Sequence, residues 1–181
     1  REEPELWKII GSSKEIKKVL ESIQTVLESD VPVVINGETG TGKELVAKAI
    51  HYKGPRRKQT FCTINCAAIP DNLLESELMG HEKGAFTGAV QQKLGKLEHA
   101  SRGTLFLDEI TEMPLAMQAK ILRVIEEQVF ERVGGNKPIK TDVRIISASN
   151  KDILSEVSSK NFREDLYYRI NVFKIHVPPL R

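Results

Sequence analysis

The sequence predicts an α/β fold, a largely parallel sheet covered by helices on both faces. Three observations predict it. Short apolar runs without in-out alternation recur along the chain, as strands buried on both faces require. Segments with apolar residues at helical spacing lie between them. One of the strands runs directly into Gly37-Glu38-Thr39-Gly40-Thr41-Gly42-Lys43, a glycine-rich junction between strand and helix. At 181 residues the chain fits one sizeable domain with room for a proper core.

In chain order, Ser12 to Glu15 reads as an S-x-x-E capping box. Ile16, Val19, Leu20, Ile23 and Leu27 follow at helical spacing. Val31-Pro32-Val33-Val34-Ile35 is a short buried strand, and the helix after Lys43 turns Leu45, Val46, Ala49 and Ile50 inward. Phe61 to Ile64 is a second strand and Asp71 to Leu78 a helix. Gly84-Ala85-Phe86-Thr87-Gly88-Ala89 has no sustained apolar period. Its glycines free the backbone to bend. The six residues alone admit two readings: a loop presenting Phe86 outward, or a tight turn tucking it onto the domain's own core.

Gly95 to Ser101 reads as helical, and Thr104-Leu105-Phe106-Leu107 as a third strand ending in Asp108-Glu109. Pro114 suits the first turn of a helix carrying Leu115, Ala119, Leu122 and Ile125. Val133-Gly134-Gly135-Asn136 is a turn between short strands, while Val143 to Ala148 and Val172 to Val177 are further buried strands. Pro178-Pro179 breaks regular structure and marks an expected domain boundary.

A net charge of +2 is too small to argue for nucleic acid. The run Arg56-Arg57-Lys58 reads as a solvated loop. Cys62 and Cys66 lack a nearby histidine at metal-ligand spacing and read as buried reduced thiols. No apolar run is long enough to span a bilayer and no signal peptide opens the chain. A cytoplasmic location with no membrane partner is the expectation.

Between a strand and a helix, the pattern G-x-x-x-x-G-K makes a phosphate cradle. Its glycines let backbone N–H groups point inward, and the helix N-terminus adds positive potential. Lys43 would lie against the β- and γ-phosphates. Glu44 stands where most such loops carry a Ser or Thr hydroxyl for Mg²⁺, so the metal must find ligands elsewhere or bind through water. At the end of a buried strand, Asp108 can hold hydrated Mg²⁺ and Glu109 can polarise an attacking water. Asn65 and Asn150 each follow a strand, where an amide orients water, holds a carboxylate or caps a helix. Arg163 and Arg169 flank Leu166-Tyr167-Tyr168 in a polar helical stretch. Six residues at about 100° each send them from different helix faces, and a surface salt bridge is the plain reading of either one.

The ordered set of Gly37 to Glu44, Gly84 to Ala89, Gly103 to Glu109 and Phe162 to Phe173 closely resembles the central AAA+ domain of bacterial enhancer-binding proteins, the ATP-driven activators of sigma-54 RNA polymerase. The resemblance runs from about Ile10 to Arg181, and the GAFTGA hexapeptide that carries most of its specificity is intact. It implies a P-loop NTPase three-layer sandwich over 1–181, with an inserted sigma-54-contacting loop at 80–92. It implies ATP and Mg²⁺ as cofactors, with Gly37, Glu38, Thr39, Gly40, Thr41, Gly42, Lys43 and Glu44 holding the nucleotide. Glu44 is usual in this family.

Asn65 resembles the residue that pairs with Glu109, Asn150 the first sensor of the γ-phosphate, and Arg163 and Arg169 the arginine fingers reaching a neighbouring subunit's site. A ring follows, usually a hexamer, with sigma-54 as the partner of the Phe86 loop. Arg102 stands where glycine is common in the family, which is expected to be harmless on a surface turn. The small helical lid of such domains is absent after Leu180-Arg181. Sensory and DNA-binding domains are also absent, so the segment is expected to be a piece of a larger activator, weak in ATPase activity by itself and bound to promoter DNA mainly through another domain. The competing expectation is a nucleotide-dependent oligomerising regulator that does not remodel polymerase.

Overall fold

The computed structural model describes residues 14–179. Ser12 and the capping box it opens lie outside the described residues. Helix α1 (Lys14–Val26) is followed by β1 (Val33–Asn36), α2 (Lys43–Lys53), β2 (Phe61–Asn65) and α3 (Asp71–Met79). Two short strands, β3 (Gly80–His81) and β4 (Lys93–Leu94), precede the single-turn helix α4 (Lys96–His99). The chain continues through β5 (Thr104–Asp108), a 3-10 turn at Ile110–Glu112, α5 (Leu115–Glu127) and the pair β6 (Val129–Phe130) and β7 (Ile139–Lys140). It ends in β8 (Arg144–Ser149), α6 (Ile153–Ser158), α7 (Glu164–Ile170) and β9 (Phe173–His176).

Five strands form one parallel sheet in the order β2-β5-β8-β1-β9. The apolar runs lack alternation because both faces of each strand are covered. Leu105 and Leu107 of β5 face one core cluster with Leu74 and Leu78 of α3 and Met117 and Ile121 of α5. Phe106 between them faces the other, with Val19 and Ile23 of α1 and Val46 and Ile50 of α2. This is the expected three-layer sandwich. All five strands run the same way, so Asn36, Asn65, Asp108 and Ser149 close their strands along one edge of the sheet. Open α/β sheets place ligands along such an edge.

Several local expectations are corrected. Leu45 is 43% exposed on α2, whose inner face is Val46, Ala47, Ala49 and Ile50. Leu115 is 47% exposed, because α5 buries Met117, Gln118, Ile121 and Val124 instead. The face turns around Gln118, whose buried amide bonds Met113 O, Asn161 O and the Arg163 N–H and so joins α5 to the chain entering α7. The helix expected over Gly95 to Ser101 is a single turn. Arg56 is no solvated loop residue. Its half-buried guanidinium binds Asp30, Asp142 and the Gly103 carbonyl, tying the ends of three connections together. Arg102 lies exposed on a turn as expected, but at φ 70°, the left-handed conformation that favours glycine.

His51 joins α2 to the sheet. Nε2 faces the Gln59 carbonyl at 2.9 Å, so it carries the proton, and Nδ1 accepts from the Thr104 hydroxyl at 2.8 Å. Burial pushes the ring below its ordinary pKa of 6.5, against the opposing pull of the Gln59 carbonyl. The unfolded chain thus binds a proton at higher pH than the fold does. The neutral ring's contribution to stability is complete above pH 6.5 and is lost as the pH falls toward the folded value. Denaturant unfolding between pH 7.5 and 5 is expected to show this loss, and His51→Gln to flatten it. Equal slopes in both proteins would overturn the assignment.

Candidate nucleotide site and the Phe86 loop

Lys43 opens α2 directly after the glycine loop. Gly40 and Gly42 adopt φ 82° and 92°, left-handed conformations that coil the loop around the helix N-terminus. The lysine ammonium folds back into this coil and donates to Gly37 O at 2.7 Å and Glu38 O at 3.3 Å. A Glu109 carboxylate oxygen stands 3.7 Å away, and the lysine side chain is only 6% exposed. The charge is held buried beside backbone carbonyls and a single counter-ion.

Glu109 reaches that position through an unusual backbone. It leaves β5 at φ 51°, ψ 52°, a left-handed conformation that costs a non-glycine residue on the order of 1 kcal/mol. Its N–H donates to Asp108 Oδ1 at 3.0 Å, which fixes the preceding carboxylate. Burial pushes the Asp108 carboxyl above the usual range, while the Glu109 N–H and Lys43 act to lower it. Asn150, just past β8, donates from its amide to Thr39 Oγ1 at 3.1 Å and braces the loop tip. Asn65, at the end of β2, accepts from the Ala67 N–H at 2.9 Å in an Asx turn.

These groups surround one cavity of about 640 Å³, lined by Thr39, Gly40, Gly42, Lys43, Glu44, Asn65, Asp108, Glu109 and Asn150, with Leu45 and Ala67 among the other lining residues. Asn65 and Glu109 are brought to the same cavity but, among the described residues, not into a direct hydrogen bond. Arg163 and Arg169 lie elsewhere. Arg163 caps α7 and chelates Asp165 through two hydrogen bonds, and Arg169 pairs with Glu126. The salt-bridge reading thus describes both arginines within one copy of the chain.

Sequence reasoning missed Glu112 and Lys151, which face the same cavity and pair at 2.8 Å. They belong to no motif and meet only because the turn after β5 packs beside β8.

The Phe86 loop combines its two readings. Gly84 and Gly88 adopt φ 80° and 95°, and the Gly84 N–H closes the hexapeptide on Ala89 O at 2.8 Å. Phe86 is 41% exposed, yet its ring edge rests on His81. A collar holds the base of the loop. β3 pairs with β4, Val133 bridges His81, and Arg132 binds both Glu82 and Glu98. This collar was also absent from the sequence reading. A histidine just ahead of an exposed loop was its only visible sign.

The fold and site define the class: a P-loop NTPase domain of the AAA+ kind. Within that class the chain belongs to the Sigma-54 interaction domain family, which it matches over residues 9–176. It is 55% identical over 173 residues to the Nif-specific regulatory protein of Azotobacter vinelandii, covering 96% of this chain and 33% of that protein. It is 54% identical over 177 residues to the formate hydrogenlyase transcriptional activator FhlA of Escherichia coli K12, covering 98% of this chain and 26% of that protein. The chain thus spans a third or less of the length of these curated relatives.

The crystal structure of NtrX from Brucella abortus in complex with ATP superposes with a TM-score of 0.87 at 41% identity, covering 93% of this chain and 36% of that one. NtrX has also been solved in complex with ADP, with the same score and identity. A P-loop NTPase domain from E. coli at 19% identity, TM-score 0.65, shares the fold. No helix among the described residues is long and apolar enough to cross a membrane.

Cys66 lies beside this site without belonging to its chemistry. Burial, reinforced by the nearby Asp108 and Glu109 charges, pushes its thiol up to about 12. Cys62 is also buried and shifted upward by burial. Both thiols are expected to resist alkylation at pH 8 in the folded domain and to react on unfolding. Rapid native-state labelling of either would contradict their placement.

Proposed function

We propose that this domain binds and hydrolyses ATP within a ring of identical copies and uses the Phe86 loop to contact sigma-54 and open the closed promoter complex of its polymerase. The observation that carries the reading is the placement of α3. The helix begins shortly after Asn65 and Ala67 on the cavity wall and ends directly at Gly80 and His81, the base of the loop. At nine residues it is roughly 13 Å long, one rigid element between a phosphate site and an exposed aromatic.

In this reading the backbone of Gly37 to Gly42 cradles the phosphates and Lys43 neutralises them. Glu38, Thr39, Thr41 and Glu44 complete the nucleotide contacts. Asp108 suits Mg²⁺ held through water: it is a half-buried carboxylate at the cavity whose neighbour Glu109 is drawn toward Lys43, and among the described residues no cluster of three acidic, histidine or cysteine side chains forms a cage. Mg²⁺ characteristically keeps several waters and takes one or two carboxylates plus phosphate oxygens. Bound there, it would offset charge on the transferring phosphoryl group.

Glu109 polarises the attacking water, Asn150 senses the γ-phosphate from just past β8, where its amide reaches Thr39 of the glycine loop, and Asn65 answers the state of Glu109. Arg163 and Arg169 act on the site of a neighbouring copy, leaving Asp165 and Glu126 to do so. Residues 1–181 constitute the α/β ATPase subdomain, 80–92 its sigma-54-contacting insertion, and promoter DNA is engaged mainly through another part of the activator.

Two outcomes test this in the intact activator. Phe86→Ala is expected to leave ATP turnover within about twofold while abolishing open-complex formation at a sigma-54 promoter, because the aromatic is remote from the phosphate cradle. Normal transcription by that variant would remove the loop from the mechanism. Arg163→Ala is expected to retain ATP binding but lose on the order of 10³-fold in turnover, as loss of an inserted arginine does in related NTPases. An unchanged rate would assign Arg163 to its Asp165 bridge alone.

A further inference from the structure

His81 stands at the base of the loop, outside the glycine-flanked hexapeptide, with 9% of its surface exposed. Three separate segments converge on its ring. Nε2 lies 3.0 Å from the carbonyl oxygen of Gln91, on the arm by which the chain returns from the loop. A carbonyl oxygen only accepts, so Nε2 carries the proton and Nδ1 is left as an acceptor. Ser76, buried on α3, donates its hydroxyl to Nδ1 at 2.7 Å. The ring's remaining partner is Phe86, edge-on at 70° with centroids 4.9 Å apart.

The backbone beneath this ring has no slack. A Cβ on Gly80 would come within 2.4 Å of Lys93 O, and one on Gly95 within 2.3 Å of Gly80 N and 2.4 Å of Leu78 O. The end of α3 and the clip β3–β4 are therefore in close backbone contact. His81 continues that contact outward to the loop tip through its side chain. The two glycines of the hexapeptide stand in open space, where an added Cβ would meet nothing within 4 Å, while Ala85 packs against Gly134 and Ala89 is buried.

We infer that His81 is the positioning residue that couples α3 to Phe86, its ring anchored on Ser76 and Gln91 and setting where the aromatic tip stands. The inference rests on the proposed reading of the domain as an ATP-driven remodeller. The two hydrogen bonds fix the ring plane, and the ring plane offers Phe86 one edge-on seat. A displacement of α3 carries Ser76, and with it the ring, so the seat moves with the helix. The hydrogen bonds and ring contact of His81 go to Ser76, Gln91 and Phe86, none of which lines the nucleotide cavity, so its effect falls on coupling and not on hydrolysis.

The test uses the full activator with Thr87→Cys carrying an environment-sensitive fluorophore. Thr87 is exposed while Cys62 and Cys66 are buried, and thiols elsewhere in the activator are replaced. Emission is compared between ADP and ADP–aluminium fluoride on the labelled protein, while ATP turnover and open-complex formation are measured on the unlabelled activator with Thr87 in place. His81→Gln retains an amide that can donate to Gln91 but has no ring for Phe86. It is expected to keep ATP turnover within about twofold and to lose at least about tenfold in open-complex formation and in the nucleotide-dependent emission change.

Ser76→Ala removes one hydroxyl from α3 and leaves the ring in place. It is expected to reduce both coupled readouts about fivefold, the size of one net hydrogen bond, and serves equally if His81→Gln folds poorly. Variants that respond like the parent overturn the role of His81 alone. Turnover falling in step with the coupled readouts also overturns it, by reducing His81 to a structural support. A parent with intact His81 that shows neither the emission change nor open complexes overturns the remodelling reading itself, and the inference with it.

Discussion

The buried ammonium of Lys43 is the constraint around which the domain is organised. A charge removed from water must be paired or hydrogen-bonded, and breaking a buried pair by removing one partner typically costs about 3–5 kcal/mol. Here two loop carbonyls and one carboxylate supply the compensation. The carbonyls are available because Gly40 and Gly42 take left-handed conformations. The carboxylate is available because Glu109 accepts the same kind of backbone outside glycine's normal privilege. Strain at Glu109 persists because β5, buried on both faces between β2 and β8, fixes the chain on its N-terminal side. Sheet, loop and carboxylate are thus mutually required.

The same logic of close approach governs the loop. Gly80 and Gly95 bring the end of α3 and the start of α4 into backbone contact, where no larger residue fits. The collar formed by Glu82, Glu98, Arg132 and Val133 holds the two arms together. Rigidity is concentrated at the base, and the tip carries two further glycines and a half-exposed phenylalanine. An element built this way moves as a unit when its base moves. That is the mechanical property a loop needs if its partner lies outside the domain.

The sheet and the phosphate loop were legible in the sequence because both depend on local signals. Apolar runs such as Val33-Val34-Ile35 and Leu105-Phe106-Leu107 admit little besides doubly covered strands, and the glycine loop declares its geometry through residues that tolerate positive φ. Asp108 and Glu109 were legible as a strand end, Asn65 and Asn150 as positions along the same edge. What escaped detection depends on distant partners. The inward face of α5 turns on Gln118, a polar residue whose burial is explained only by carbonyls at 113 and 161 and the amide of 163. Arg56 looked solvated because Asp30 and Asp142 are far away in sequence. His81 carried no pattern at all, since its three contacts come from a helix, a loop arm and a loop tip.

On the proposed function, the Lys43–Glu109 pair has a further consequence. At 3.7 Å the two charges sit just beyond hydrogen-bond distance, so the carboxylate is attracted without being locked. A phosphate entering the cradle brings several negative oxygens to the same ammonium, which weakens its hold on Glu109. The carboxylate is then free to turn toward water or toward another donor on the cavity wall, where the Asn150 amide already binds Thr39 and Asn65 is the other amide. Among the described residues the Asn65 side chain makes one hydrogen bond, the Asx-turn bond from the Ala67 N–H, within the short connection that leads into α3. On that proposal, competition for one buried cation would link the occupant of the cavity to the helix behind the loop.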